Sequence, residues 1–188
     1  MAACIAATST PGRWLAGMES GLFALQLGTD GRASATRLAD VDHAMPGMRF
    51  NDGRCDRQGR FVAGRMLMDM GAAQPVGKLY RLGADDLAAG RAQDLQLGPL
   101  ITPNGLAFSP DGRTMYLSDS HPRSQQLWAF DYDTDSGTPR NRRLFVDMPG
   151  LPGRPAGAAL PPAGCHSICG NDARPGPRFP PAGRPGPS

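Results

Sequence analysis

The sequence predicts an all-β fold, an incomplete β-propeller of three to four blades. Three observations carry that prediction. Amphipathic-helix periodicity is nearly absent, strand-length runs alternate with Gly-containing turns, and a turn-strand unit recurs at near-constant spacing. The unit reads CDRQGRFVAG, SPDGRTMYLS and PPAGCHSICG, with its glycines at 59, 112 and 164, hence spacings of 53 and 52 residues. A unit of that length holds several short strands and buries its faces only by stacking on its neighbours, as propeller blades do. Coincidence among Gly-rich turns is the competing reading.

Taken in order, the strand-length runs are Leu22-Phe23-Ala24-Leu25, Arg60-Phe61-Val62-Ala63, Lys78-Leu79-Tyr80-Arg81, Thr114-Met115-Tyr116-Leu117 and Gln126-Leu127-Trp128-Ala129-Phe130. Their aliphatic and aromatic side chains suit a pleated surface, and Gly or Asp-Gly turns flank them. A second strand recurs in step at residues 79–82 and 127–130, and weakly near Arg178-Phe179. Residues 85–91, between Gly83 and Gly90, form the one weak helical candidate. Residues 1–12 read as an N-terminal extension and 13–173 as the partial propeller. Residues 174–188 are rich in Pro, Gly and Arg, and a disordered tail is expected there because proline removes ladder donors.

A chain of 188 residues can bury one sizeable core. Its formal charge is +3, but residues 1–150 hold 16 basic and 16 acidic residues, so the excess lies in the tail. Without a basic stripe interleaved with aromatics, nucleic-acid binding is not expected. No run approaches the roughly 18 apolar residues of a membrane helix, so no membrane partner is expected either. The first ten residues lack a basic region and a long apolar run, and Cys4, Cys55, Cys165 and Cys169 show no disulfide framework. Free thiols in a cytoplasmic protein follow as the expectation. Cys165, His166 and Cys169 lie close in sequence, but their spacing is unspecific for a metal site.

Two stretches hold the chemistry, RFNDGRCDRQGRFVAG at 49–64 and TPNGLAFSPDGRTMYLSD at 102–119. Each sets an amide, Asn51 or Asn104, beside a carboxylate and a Gly turn. In an extended segment Arg49 and Asn51 share one face while Phe50 takes the other. The rigid donor fork of Arg and the mixed donor and acceptor of Asn suit a polyhydroxylated ring. A surface Arg beside a turn Asn would look the same. Asn104, between Pro103 and Gly105, also suits a turn that needs a left-handed residue. Asp119, at a strand end, either orients Asn104 or a water, or caps a turn.

Over residues 13–173 these motifs resemble the senescence marker protein-30/gluconolactonase/lactonase-like family. The resemblance implies a six-bladed propeller and metal-dependent opening of sugar lactones. Asn104 matches a metal-binding amide, Arg49 and Asn51 match substrate contacts, and Asp69 falls where relatives place an acidic substrate contact. The implied cofactor is a divalent metal: calcium, zinc, magnesium or manganese.

Two departures stand against activity. Relatives carry a Glu ligand in a Gly-Glu-Gly-Pro-like segment with no counterpart before Arg13, and Glu19 is not its substitute. Relatives also carry an Asp, ligand and general base, where this chain has Ala156. The likeness fades after Gly153, as a disturbed coding frame would cause. The leading expectation is therefore a sugar-lactone hydrolase, inactive as written. The alternatives are a non-catalytic propeller fragment or calcium-binding module, and a remnant with no stable fold. Open sheet edges would favour self-association.

Overall fold

The computed structural model describes residues 1–148, 154–159, 166–171 and 178–179. Their strands form four antiparallel sheets, each built from consecutive chain segments. The first holds β1 (Ala2–Ala7), β2 (Arg13–Met18), β3 (Leu22–Leu27) and β4 (Ala33–Ala39). The second holds β5 (Met48–Cys55), β6 (Phe61–Leu67), β7 (Lys78–Leu82) and β8 (Gln93–Asp94). The third holds β9 (Pro103–Phe108), β10 (Thr114–Asp119), β11 (Gln126–Asp133) and β12 (Thr138–Asp147). The fourth holds β13 (Arg154–Ala159), β14 (His166–Asn171) and β15 (Arg178–Phe179). The leading strands β1, β5, β9 and β13 pack side by side, so the sheets fan out from an axis as an arc of four propeller blades.

All five strand-length runs of the sequence lie on β3, β6, β7, β10 and β11. The repeat is in step with the blades, since β6, β10 and β14 are each the second strand of their sheet. A further copy of the turn stands at Thr10-Pro11-Gly12-Arg13, ahead of β2. Gly12, Gly59 and Gly112 have φ of 73°, 84° and 75°, the left-handed conformation that closes each turn between first and second strands. The N-terminal segment expected as an extension instead contains β1, which pairs with β2 from Ala2 to Ala7. Arg178 and Phe179 pair with Ser167 and His166, and the rest of the Pro-rich tail lies outside the described residues. The weak helical pattern forms a single turn, α1 (Ala84–Ala88), whose start is held by the Gly83 N–H donating to Asp86.

Burial explains why the middle strands lack simple alternation. Phe61 and Ala63 of β6 pack toward the first sheet with Phe50, Tyr80 and Leu82, while Val62 packs toward the third with Leu106, Met115 and Phe130. In the third sheet Leu117 and Trp128 face the second, and Tyr116, Leu127 and Ala129 face Ala158 of the fourth. A sheet covered on both faces reads as a continuous apolar run. The outer strand β4 is mostly exposed.

Polar side chains clasp the blades together away from the axis. Asp56 is buried and accepts from the Arg60 guanidinium at 2.6 Å and from the Tyr132 hydroxyl at 2.8 Å. Arg60 continues across to the carbonyls of Thr134 and Asp135, so the β5–β6 turn holds the β11–β12 hairpin. No helix among the described residues is long and apolar enough to cross a membrane.

Candidate sugar site at the blade axis

Arg49 and Asn51 point to one side of β5, as alternation requires. Arg49 donates from Nη1 to Asn51 Oδ1 at 3.1 Å and to the Phe50 carbonyl at 2.8 Å. Phe50, fully buried, takes the opposite face beneath the Arg65 guanidinium, 5.5 Å from its ring centre. Asn51 then donates from Nδ2 to the carbonyl oxygen of Pro103 at 3.1 Å, one residue before Asn104. The two motifs, 53 residues apart in sequence, thus meet on adjacent inner strands.

Asn104 is held by its own sheet. Its Nδ2 donates to Ser120 Oγ at 3.3 Å, its carbonyl accepts from Ser118 Oγ at 2.7 Å, and its Oδ1 accepts the Gly105 N–H at 2.9 Å. Gly105 has φ of 59°, and a Cβ there would come 2.7 Å from Ser118 Oγ and 2.9 Å from the Ala156 carbonyl. Pro-Asn-Gly is therefore a strand with one left-handed residue, close against β13, rather than a free turn. Asp119 is buried and accepts from the N–H groups of Ile101, Thr102 and His121 at 2.7, 2.9 and 3.1 Å. It fixes the segment leading into Pro103 and Asn104 without touching the Asn104 amide.

Asp69 is exposed and caps the turn Met70–Ala72 by accepting the Ala72 N–H, so no contact joins it to Arg49, Asn51 or Asn104. Glu19 follows β2 and lines a separate cavity of about 390 Å³ with Met18, Ser20, His43 and Met48. His166 and Cys169 lie on β14 with side chains outside those described.

Sequence reasoning passed over Asp52. A register shift between Phe50 and Gly53 inserts a bulge in β5, so Asp52 also reaches β9, accepting the Leu106 N–H at 2.8 Å and the Gly53 N–H at 2.9 Å. The Gly at 53 was the available signal. Next to it, the Cys4 thiol sits against Gly17 and Gly53, and burial, aided by the Asp52 charge, pushes it up to about 12. Arg54 completes the axis by donating to the Ala158 carbonyl at 2.7 Å, spanning from β5 to β13.

The SMP-30/Gluconolactonase/LRE-like region matches residues 1–185. The chain belongs to this family. The match extends beyond the span 13–173 read from the motifs and takes in β1. Within the family the chain is 38% identical over 161 residues to the L-arabinolactonase of Azospirillum brasilense, covering 84% of this chain and 49% of that one. It is 35% identical over 156 residues to the 6-deoxy-6-sulfogluconolactonase of Pseudomonas putida, covering 82% and 49%. Among solved structures, a calcium-binding protein, regucalcin, from Agrobacterium tumefaciens superposes with a TM-score of 0.80 at 25% identity, covering 94% of this chain and 56% of that one. The chain spans about half the length of the curated relatives it matches.

The family resemblance implies a divalent cation, and the residues present do not fit one. Asn104 Oδ1 is shared with the Gly105 N–H, and Ala156 offers only a methyl group as its side chain. Among the described residues no three His, Cys, Asp or Glu side chains converge to hold a metal. Calcium takes about six to eight oxygens with carboxylates among them. One amide oxygen does not hold it against water.

Proposed function

We propose that the chain carries the sugar-holding part of a gluconolactonase-like hydrolase, with a small sugar lactone as the ligand of the complete site. The observation that supports this reading is the joining of Arg49, Asn51 and Asn104 on neighbouring inner strands through the Asn51–Pro103 bond. Arg49 offers N–H donors to ring and hydroxyl oxygens, and the two amides offer donors and acceptors in fixed orientation. Ring opening adds water across the acyl C–O bond and needs a base to take the water proton. The methyl of Ala156 takes no proton. A second reading, a non-catalytic sugar-binding propeller, is favoured by that residue. A cytoplasmic setting belongs to both readings and is supported by Cys4 and Cys55, both unpaired thiols.

Calorimetric titration with lactones, polyols and aldonates tests recognition, and proton release from glucono-1,5-lactone tests turnover. We expect binding that weakens when Asn51 and Asn104 are both changed to Ala, and hydrolysis no faster than the spontaneous rate. Failure to bind any sugar-derived ligand sinks both readings. Hydrolysis above background in the unaltered chain sinks the non-catalytic one.

A further inference from the structure

We infer that this site selects an anionic open-chain sugar acid over a neutral sugar and takes it without a divalent cation. The inference rests on the sugar-holding reading above and follows from the charge that the site retains.

Arg49 is half-buried, its guanidinium donates to the Phe50 carbonyl and Asn51 Oδ1, and among the described residues no carboxylate forms an ion pair with it. Three carboxylates of the surrounding elements are committed to backbone N–H groups. Asp52 holds Gly53 and Leu106, Asp119 holds Ile101, Thr102 and His121, and Asp69 holds Ala72. Those amide dipoles take up much of their charge. In a site with a metal and an acid at 156, a cation and its carboxylates would balance one another and leave a neutral ring as the fitting ligand. Here Ala156 removes the acid, and the residues present do not fit the cation. What remains uncompensated is a rigid guanidinium fork beside two amides. A carboxylate complements such a fork with two parallel hydrogen bonds. An aldonate presents that carboxylate at one end of a chain of hydroxyls, which the amides of Asn51 and Asn104 are placed to meet. The site then binds the class of molecule that opening a sugar lactone produces.

D-gluconate and D-sorbitol differ at one carbon, carboxylate against hydroxymethyl, so their comparison isolates the charge. Both are titrated calorimetrically into the full chain in the presence of EDTA. Gluconate is expected to bind about tenfold tighter than sorbitol. Arg49→Gln should bring the two together, and Arg49→Lys, which keeps the charge but loses the fork, should keep part of the preference. Equal binding of gluconate and sorbitol by the unaltered chain overturns the inference and leaves sugar recognition standing. Binding of neither overturns both. Gluconate binding that appears only when calcium replaces EDTA overturns the inference, because the metal then supplies the contact. So does displacement of gluconate by acetate at equal concentration, which would mark general anion attraction. Should Arg49→Gln fail to melt cooperatively, the gluconate-to-sorbitol ratio of the unaltered chain decides.

Discussion

Asn51 donates a hydrogen bond from its side-chain amide to the main-chain carbonyl of Pro103, 3.1 Å away, and so links the first strands of two neighbouring blades at the site itself. In the proposed site one residue thus serves both recognition and assembly. Its Oδ1 is turned to Arg49 and its Nδ2 to β9.

Asn51→Asp tests that double duty. A carboxylate there accepts from Arg49 but meets the Pro103 carbonyl with a second acceptor. We expect a loss of about 1–2 kcal/mol in urea unfolding together with loss of gluconate binding, since Arg49 gains an internal anion. Unchanged stability would show that the bond to Pro103 contributes nothing.

Asp119→Ala leaves three backbone N–H groups in a buried place without their acceptor. A cost of about 3 kcal/mol is expected from such unsatisfied donors. Asp119→Asn, which keeps one acceptor oxygen, should lose less. Equal losses in the two variants would mean that the retained oxygen contributes nothing and that the negative charge of Asp119 is what holds the three N–H groups.

The outer clasp should be separable from the site. Tyr132→Phe removes one hydrogen bond to buried Asp56 and is expected to cost about 1 kcal/mol. Arg60→Ala leaves the Asp56 carboxylate without its cation and should cost about 3 kcal/mol. Gluconate affinity measured below the melting transition should stay the same in Tyr132→Phe, whose side chain lies far from the Asn51–Pro103 link in the register of β11.

His43 sets the expected response to acid. Burial first, then the neighbouring Arg65 and Arg37 guanidinium groups, hold its pKa below the usual histidine value, with Glu19 opposing. Arg65 donates to His43 Nδ1, a bond that only the neutral ring accepts. The unfolded chain therefore binds the extra proton more readily. That contribution to stability is complete above the ordinary histidine pKa of about 6.5 and is lost as pH falls through it toward the lower folded value. Urea midpoints measured from about pH 7.5 down to about 5.5, one unit either side of that value, should fall, and His43→Gln should flatten part of the slope. A slope identical in the variant would remove His43 from the account.

Much of the architecture was legible before any coordinates. Repeated Gly turns need a left-handed residue, and strand-length runs suit a pleated sheet, so local chemistry alone announced blades with their second and third strands in place. The Arg49-Phe50-Asn51 alternation was legible for the same reason, since side-chain direction in a strand is a local property. Three features were not. β1 reads as an N-terminal extension because its partner, β2, supplies the pairing that makes it a strand. Asp52 joins the axis only through a bulge, which shifts facing by one residue and leaves a single glycine as its trace. Asp69, acidic and just after the first motif, caps a local turn. The sequence by itself determined the strands, their turns and which residue types are on hand, because these follow from neighbours along the chain. Only the tertiary structure decided that Asn51 meets Pro103, that Asp52 and Asp119 are spent on backbone N–H groups, and that Arg49 finds no carboxylate partner among the described residues. The Asn51–Pro103 and Asp52–Leu106 contacts join segments 52 and 54 residues apart, and how blades stack around an axis sets them.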